Sequence, residues 1–184
     1  MSCVETSLVD FFIVGYGNLY RRDDGIGPYV VNQLESFLYH RKNIHYMVLH
    51  QLEPYLIDEL QYADIILFVD ATVETLGEGR QWTMIQPDIK AIPSFTHQCS
   101  PPMMLGWLQS LHHRNPATWL VSVQGNDFDF GRGLSFEAKK KSRQVISEIA
   151  EYILTYSVEQ DKINPLKWKS EARTKYPKRI NTRL

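Results

Sequence analysis

The stretch from Phe11 to Gly27, FFIVGYGNLYRRDDGIG, constrains this chain more than any other: an apolar run ends in a glycine turn, and paired acids then open a new segment. Phe11 to Val14 offer water no polar face, the pattern of a strand buried on both sides. Gly15 and Gly17 allow a sharp turn without a Cβ penalty. Beyond Asp24, apolar residues recur every four positions at Ile26, Val30, Leu34 and Leu38, one face of a helix over about 25–39. The acids therefore stand at a strand-to-helix junction, beside the positive end of a helix.

A strand, glycines and a helix N-terminus are also the parts of a dinucleotide site. Gly15-x-Gly17 lacks the third glycine, and Asp23 and Asp24 would repel a pyrophosphate where the helix dipole should attract it, so a nucleotide is disfavoured. Two carboxylates suit a cation ligand or a catalytic acid. They suit equally a structural reading, with Asp24 as an N-cap and Asp23 as its solvated neighbour. The local pattern leaves both open.

Ile44 to Leu49 alternates as a second strand, and Glu53-Pro54 starts a short helix with proline in its first turn. Asp64 to Asp70, DIILFVD, is the plainest strand in the chain and ends in an acid. Strand, helix, strand, helix, strand at these lengths predicts a parallel sheet covered by helices. Gln81 to Ile85 forms a fourth strand, and the nine residues Ala71 to Gly79 before it are too few for a helical crossover. It is therefore expected to run antiparallel, near an edge. Ser100-Pro101-Pro102 opens a helix to about His112, Thr118 to Val123 is a fifth strand, 125–133 is a loop, and Ser135 caps a last helix to about Tyr156. The expected fold is α/β: a single three-layer domain with a five-stranded, mostly parallel, twisted sheet, one antiparallel strand, and helices on both faces.

With 184 residues, 43% hydrophobic and 22% charged, the chain fits one globular domain, expected over 1–158. The net charge of -1 hides an asymmetry: residues 159–184 hold eight Lys/Arg against three Asp/Glu, leaving the remainder acidic. That stretch reads as a basic, loosely held C-terminal tail, either simply solvated or an arm for an acidic partner. Cys3 and Cys99 are the only cysteines, which excludes a disulfide framework or a Cys-x-x-Cys metal knuckle. The start carries no export-signal pattern, and no apolar run approaches the roughly 18 residues of a membrane span, so a cytoplasmic protein is expected.

In a sheet wound this way, ligands gather beyond the carboxyl ends of the strands. Asp24 follows the first strand, Asp70 ends the third, and His97 precedes the third helix, which makes them candidates for one site. Two carboxylates and an imidazole suit a borderline divalent ion such as nickel or zinc, with positions left open for an outside ligand. Taken singly, Asp70 could cap a loop and His97 could be a polar loop residue. Cys99, near His97, has no tertiary argument for a Cys–His pair. His112 and His113 close a helix, where imidazoles favour the dipole. Met103, Met104, Leu105, Trp107, Leu108 and Leu111 read as an apolar helix face in the core.

Gly15-x-Gly17-Asn18, then Asp23-Asp24-Gly25-x-Gly27, a strand closing on Val69-Asp70-Ala71, His97 before a helix, and Val121-Ser122-Val123-Gln124 with the Gly131/Gly133 loop and Leu134-Ser135 together resemble the hydrogenase maturation endopeptidases. The resemblance covers about residues 10–155. It implies a protease that clips the C-terminal extension from the precursor of a nickel–iron hydrogenase large subunit after nickel insertion. It also implies that the substrate's nickel is met by two acids and a histidine, at Asp24, Asp70 and His97. Cleavage by such an aspartyl-type protease needs a water activated by a carboxylate, with Asp24 or Asp70 as the base, or by the metal. Many members carry glutamate at the position of Asp24, whose shorter side chain reaches less far. Arg21-Arg22-Asp23-Asp24 and His97-Gln98-Cys99-Ser100-Pro101 look like the branch serving NAD-coupled bidirectional hydrogenases. Nickel is expected to arrive with the large-subunit precursor rather than as a resident cofactor. No nucleic acid or membrane is expected to take part, and the protein is expected to act as a monomer. The rival reading is a non-enzymatic nickel or large-subunit chaperone using the same three ligands.

Overall fold

A computed structural model describes residues 8–89 and 99–159, the last three by their backbone only. Its strands are β1 (Phe11–Tyr16), β2 (Ile44–Leu49), β3 (Ile65–Thr72), β4 (Arg80–Met84) and β5 (Ala117–Gln124). Its helices are α1 (Ile26–Leu38), α2 (Ile57–Leu60), α3 (Pro101–His112) and α4 (Phe136–Glu159), with 3-10 turns at Arg22–Gly25 and Pro54–Leu56. The sheet order is β2-β1-β3-β5-β4. Every neighbouring pair is parallel except β4 with β5. The short link after β3 does force an antiparallel edge strand, but β4 pairs with β5, which separates it from β3.

The period of two along each strand divides the core. Phe11, Ile13, Ile65, Leu67, Val69, Trp119, Val121 and Val123 face one layer made by α1 and α4. Ile26, Val30, Val31 and Leu34 are fully buried in that layer, each contributing about 1.5–3 kcal/mol of hydrophobic stabilisation. Phe12, Val14, Ile66 and Phe68 face the opposite layer, where Leu56 and Leu60 join Met104, Leu105, Trp107 and Leu108 of α3. Helices on both faces make the expected three layers. Leu111, read from its spacing as core, is exposed on the last turn of α3.

Two helix starts follow the sequence in different ways. Ser135 Oγ accepts the N–H of Ala138 at 3.2 Å, a bonded N-cap for α4. Ser100 occupies the N-cap position of α3 in extended conformation, with prolines after it, but makes no side-chain cap bond. The basic tail falls outside the described residues from 160 onward. Among the described residues, no helix is long and apolar enough to cross a membrane.

Candidate active site

The chain leaves β1 into α1 on one face of the sheet and leaves β2 toward α2 on the other, returning on the far side of β1 as β3. Connections therefore diverge at the carboxyl ends of β1 and β3 and open a crevice at that switch point. Asp24 and Asp70 both arrive there.

Strand register explains the partner of Asp70. Gly15 pairs with Val69, so the next residues, Tyr16 and Asp70, stand side by side on the face shared with α3. The Tyr16 hydroxyl donates to the Asp70 carboxylate. Its ring packs edge-on against Phe68, with centroids 6.5 Å apart. Burial pushes the Asp70 carboxyl up to about 6; the Tyr16 hydroxyl and the Ala71 N–H draw it down, and the negative charge of Asp24 raises it further. Burial and the Asp70 carboxylate push the Tyr16 phenol far above its ordinary range, so it remains a donor. The coupling shows that Asp24 lies within electrostatic reach of Asp70. Tyr16 was missed from sequence because it ends an apolar run, and only the pairing of β1 with β3 reveals its role.

Asp24 is not the helix cap. Gly25 holds the N-cap position of α1, and Asp24 belongs to the preceding 3-10 turn. Its Oδ2 accepts the backbone N–H of Asn18 at 2.8 Å, which ties it to the turn after β1. Asp23 is not solvated either: it is 0% exposed. Its Oδ2 accepts the N–H groups of Asn126 and Asp127 and the Ser135 hydroxyl at 2.8–3.0 Å, and its Oδ1 accepts the Ser135 N–H at 2.7 Å. Burial alone would raise its carboxyl, but these four donors hold it below the ordinary carboxylate range. The adjacent acids thus divide their labour. Asp23 binds the loop after β5 and the start of α4 to the junction, and Asp24 faces the crevice with Asp70.

The glycines serve this packing rather than a phosphate. A Cβ at Gly27 would lie 2.5 Å from the carbonyl oxygens of both Tyr16 and Val69, so α1 sits directly on β1 and β3 only because residue 27 has no side chain. Gly17, at φ +144°, lies against the Asp24 backbone, where a side chain would collide. More stitching holds the loop after β5 to residues 18–24. Arg22 pairs with Asp127 at 2.7 Å, Arg22 N–H donates to the Gly131 carbonyl at 3.1 Å and Gly131 N–H to Tyr20 O at 2.8 Å. Arg22 itself is held at φ +44°, a conformation costly for a side-chain-bearing residue.

His97 lies outside the described residues. Among the described residues, no group of three His, Cys, Asp or Glu side chains is placed to hold a metal ion. The structure therefore brings together two of the three residues expected from the sequence, and adds Tyr16. Burial and the charge of Glu53 push the Cys99 thiol up, away from the thiolate a nucleophile needs. His112 stands 3.8 Å from Asp58 on α2, away from the crevice.

A pocket of about 600 Å³ opens beside Asp24, lined by Gly17, Asn18, Leu19, Tyr20, Val48 and Phe130 among others.

No family model matches the chain, and no curated protein matches it in sequence. Its fold, however, is that of solved hydrogenase maturation proteases. The [NiFe] hydrogenase maturation protease HycI from Thermococcus kodakarensis KOD1 superposes with a TM-score of 0.64 at 20% identity, covering 83% of this chain and 96% of that one. The hydrogenase maturating endopeptidase HybD from E. coli gives 0.60 at 17% identity, covering 80% and 94%. The hydrogenase 2 maturation peptidase from Thaumarchaeota archaeon SCGC_AB-539-E09 gives 0.57 at 18% identity, covering 78% and 97%.

Proposed function

We propose that this chain is an endopeptidase that removes the C-terminal extension of a nickel–iron hydrogenase large-subunit precursor once nickel is in place. The observation that carries the reading is that Asp24 and Asp70 both stand at the switch point of the sheet, with the charge of Asp24 acting on the buried Asp70 carboxyl, in a fold shared with solved hydrogenase maturation proteases. Asp24, Asp70 and His97 meet the nickel held by the substrate. A precursor without nickel offers this trio nothing to bind, so specificity comes from an absent ligand.

Asp70 is the better base. A carboxyl near 6 has proton affinity enough to take a proton from water and is still ionised at neutral pH. The Tyr16 hydroxyl fixes its orientation. In the reaction, water adds to the scissile carbonyl while Asp70 accepts its proton. The proton then passes to the leaving amine, and the precursor separates into a carboxylate and an amine. The working environment proposed is the cytoplasm, with the protease acting as a monomer on the folded precursor.

The test is to mix the protein with nickel-loaded precursor and follow the precursor's mass. Loss of a C-terminal peptide, dependent on nickel, is the expected result. A precursor that binds but keeps its full length would make the protein a chaperone holding nickel or the immature subunit.

A further inference from the structure

Resting on the proteolytic reading, we propose that the pocket beside Asp24 is the subsite for a large uncharged side chain of the peptide segment being cut, with that segment lying extended along the outer edge of β2. Three observations support this. First, pocket and carboxylate share a wall. Gly17 and Asn18 line the pocket, Gly17 lies against the Asp24 backbone, and the Asn18 N–H donates to Asp24 Oδ2. A side chain seated in the pocket therefore places its own main chain next to Asp24.

Second, the lining is mostly apolar. Among the described residues, Leu19, Tyr20, Pro28, Val48, Leu49 and Phe130 form its walls and the imidazole of His50 is its one basic group, with no carboxylate, ammonium or guanidinium among them. Leu19, Val48 and Phe130 are 54%, 41% and 85% exposed, a concentration of apolar surface that water does not favour and a side chain would cover. Tyr20 is fixed in place rather than free to swing. Arg132 donates to its hydroxyl at 2.6 Å, and the Arg132 guanidinium stands 4.6 Å from its ring centre. A held aromatic wall loses little freedom on binding.

Third, Val48 and Leu49 belong to β2, which ends the sheet. An edge strand presents main-chain donors and acceptors to an added extended chain, whose alternate side chains then point toward the face beneath. Edge pairing supplies the alignment, and the pocket selects the side chain. The carboxylate pair would be reached by the backbone just beyond it.

Capped tripeptides, Ac-Ala-Leu-Ala-NH2 and Ac-Ala-Glu-Ala-NH2, test the proposal on the ¹⁵N-labelled full chain without requiring cleavage. The leucine peptide is expected to shift the amides of Gly17, Asn18, Val48 and Leu49, with the glutamate peptide at least tenfold weaker. Phe130→Asp, at an exposed loop position, should abolish the leucine preference, and Val48→Asp should do the same from the strand side. Equal binding of the two peptides, or shifts confined to other surfaces, would overturn the assignment. With nickel-loaded precursor, Phe130→Asp should raise KM about tenfold at unchanged kcat, and an unchanged KM would count against the pocket. If wild-type protein leaves the precursor whole, the proteolytic reading falls, while the peptide shifts still decide whether the pocket takes uncharged side chains.

Discussion

Replacing Asp23 by asparagine keeps the size of the side chain but removes the charge that four donors converge on. Three of them, the N–H groups of Asn126 and Asp127 and the Ser135 hydroxyl, meet Oδ2, and the Ser135 N–H meets Oδ1. An amide has one acceptor oxygen, so its NH2 must face at least one of these donors in a site that is 0% exposed. Hydrogen bonds to a charged group contribute about 1.5–3 kcal/mol each against about 1 for neutral ones, and an unmatched buried donor costs about 1–3. Losing one bond and weakening three gives a destabilisation of about 3 kcal/mol, or about 6–12 °C in Tm for a chain of this length. The loss has a pH signature. Asp23 is held below its ordinary range, so its ionised form stabilises the fold above the unfolded value of about 3.9, and that stabilisation vanishes as pH falls through the lower folded value. Urea unfolding of both proteins at pH 7 and toward pH 3 is the assay, with the gap between them wide at pH 7 and shrinking below about pH 4. Equal urea midpoints at pH 7, or a gap that stays constant into acid, would refute the assignment of Asp23 as the charged anchor of this junction.

Asp70→Asn should abolish cleavage and yet stabilise the fold. Because burial and the Asp24 charge hold that carboxyl up at about 6, ionised Asp70 costs about 3 kcal/mol at neutral pH. The variant should melt higher than wild type above pH 6 and equally near pH 4, as calorimetry would show. Tyr16→Phe removes a hydrogen bond that draws the Asp70 carboxyl down, so the acid limb of the pH–rate profile should move upward, and the loss of a bond to a charged group should cost about 1.5 kcal/mol, or about 3–6 °C in Tm at neutral pH. Asp24→Asn retains an oxygen for the Asn18 N–H, so circular dichroism and Tm should match wild type while precursor processing stops; wild-type cleavage would leave Asp24 a purely structural residue. Gly27→Ala places a methyl 2.5 Å from two backbone oxygens, and overpacking against main chain should cost about 3 kcal/mol in denaturant titration.

Much of this protein follows from local pattern. The buried runs at 11–14 and 64–70, the four-residue apolar spacing after Asp24, and the short link before Arg80 are statements about period and reach. Period and reach are enough to specify strands, helices and the antiparallel edge. Asp24 and Asp70 could be nominated on the same grounds, since each stands at a strand's carboxyl end. What the sequence could not decide is which neighbours those ends acquire. Asp23 and Asp24 are adjacent and identical in type, yet one is sealed among donors more than a hundred residues away and the other faces the crevice. Tyr16 looks like the last residue of an apolar strand until β1 and β3 pair in register and set its hydroxyl on Asp70. The pocket joins the turn after β1, the end of β2 and the loop after β5. Local periodicity reports which face of an element is apolar; only the closing of the sheet, with its order and register, sets the distances between groups that the chain keeps far apart.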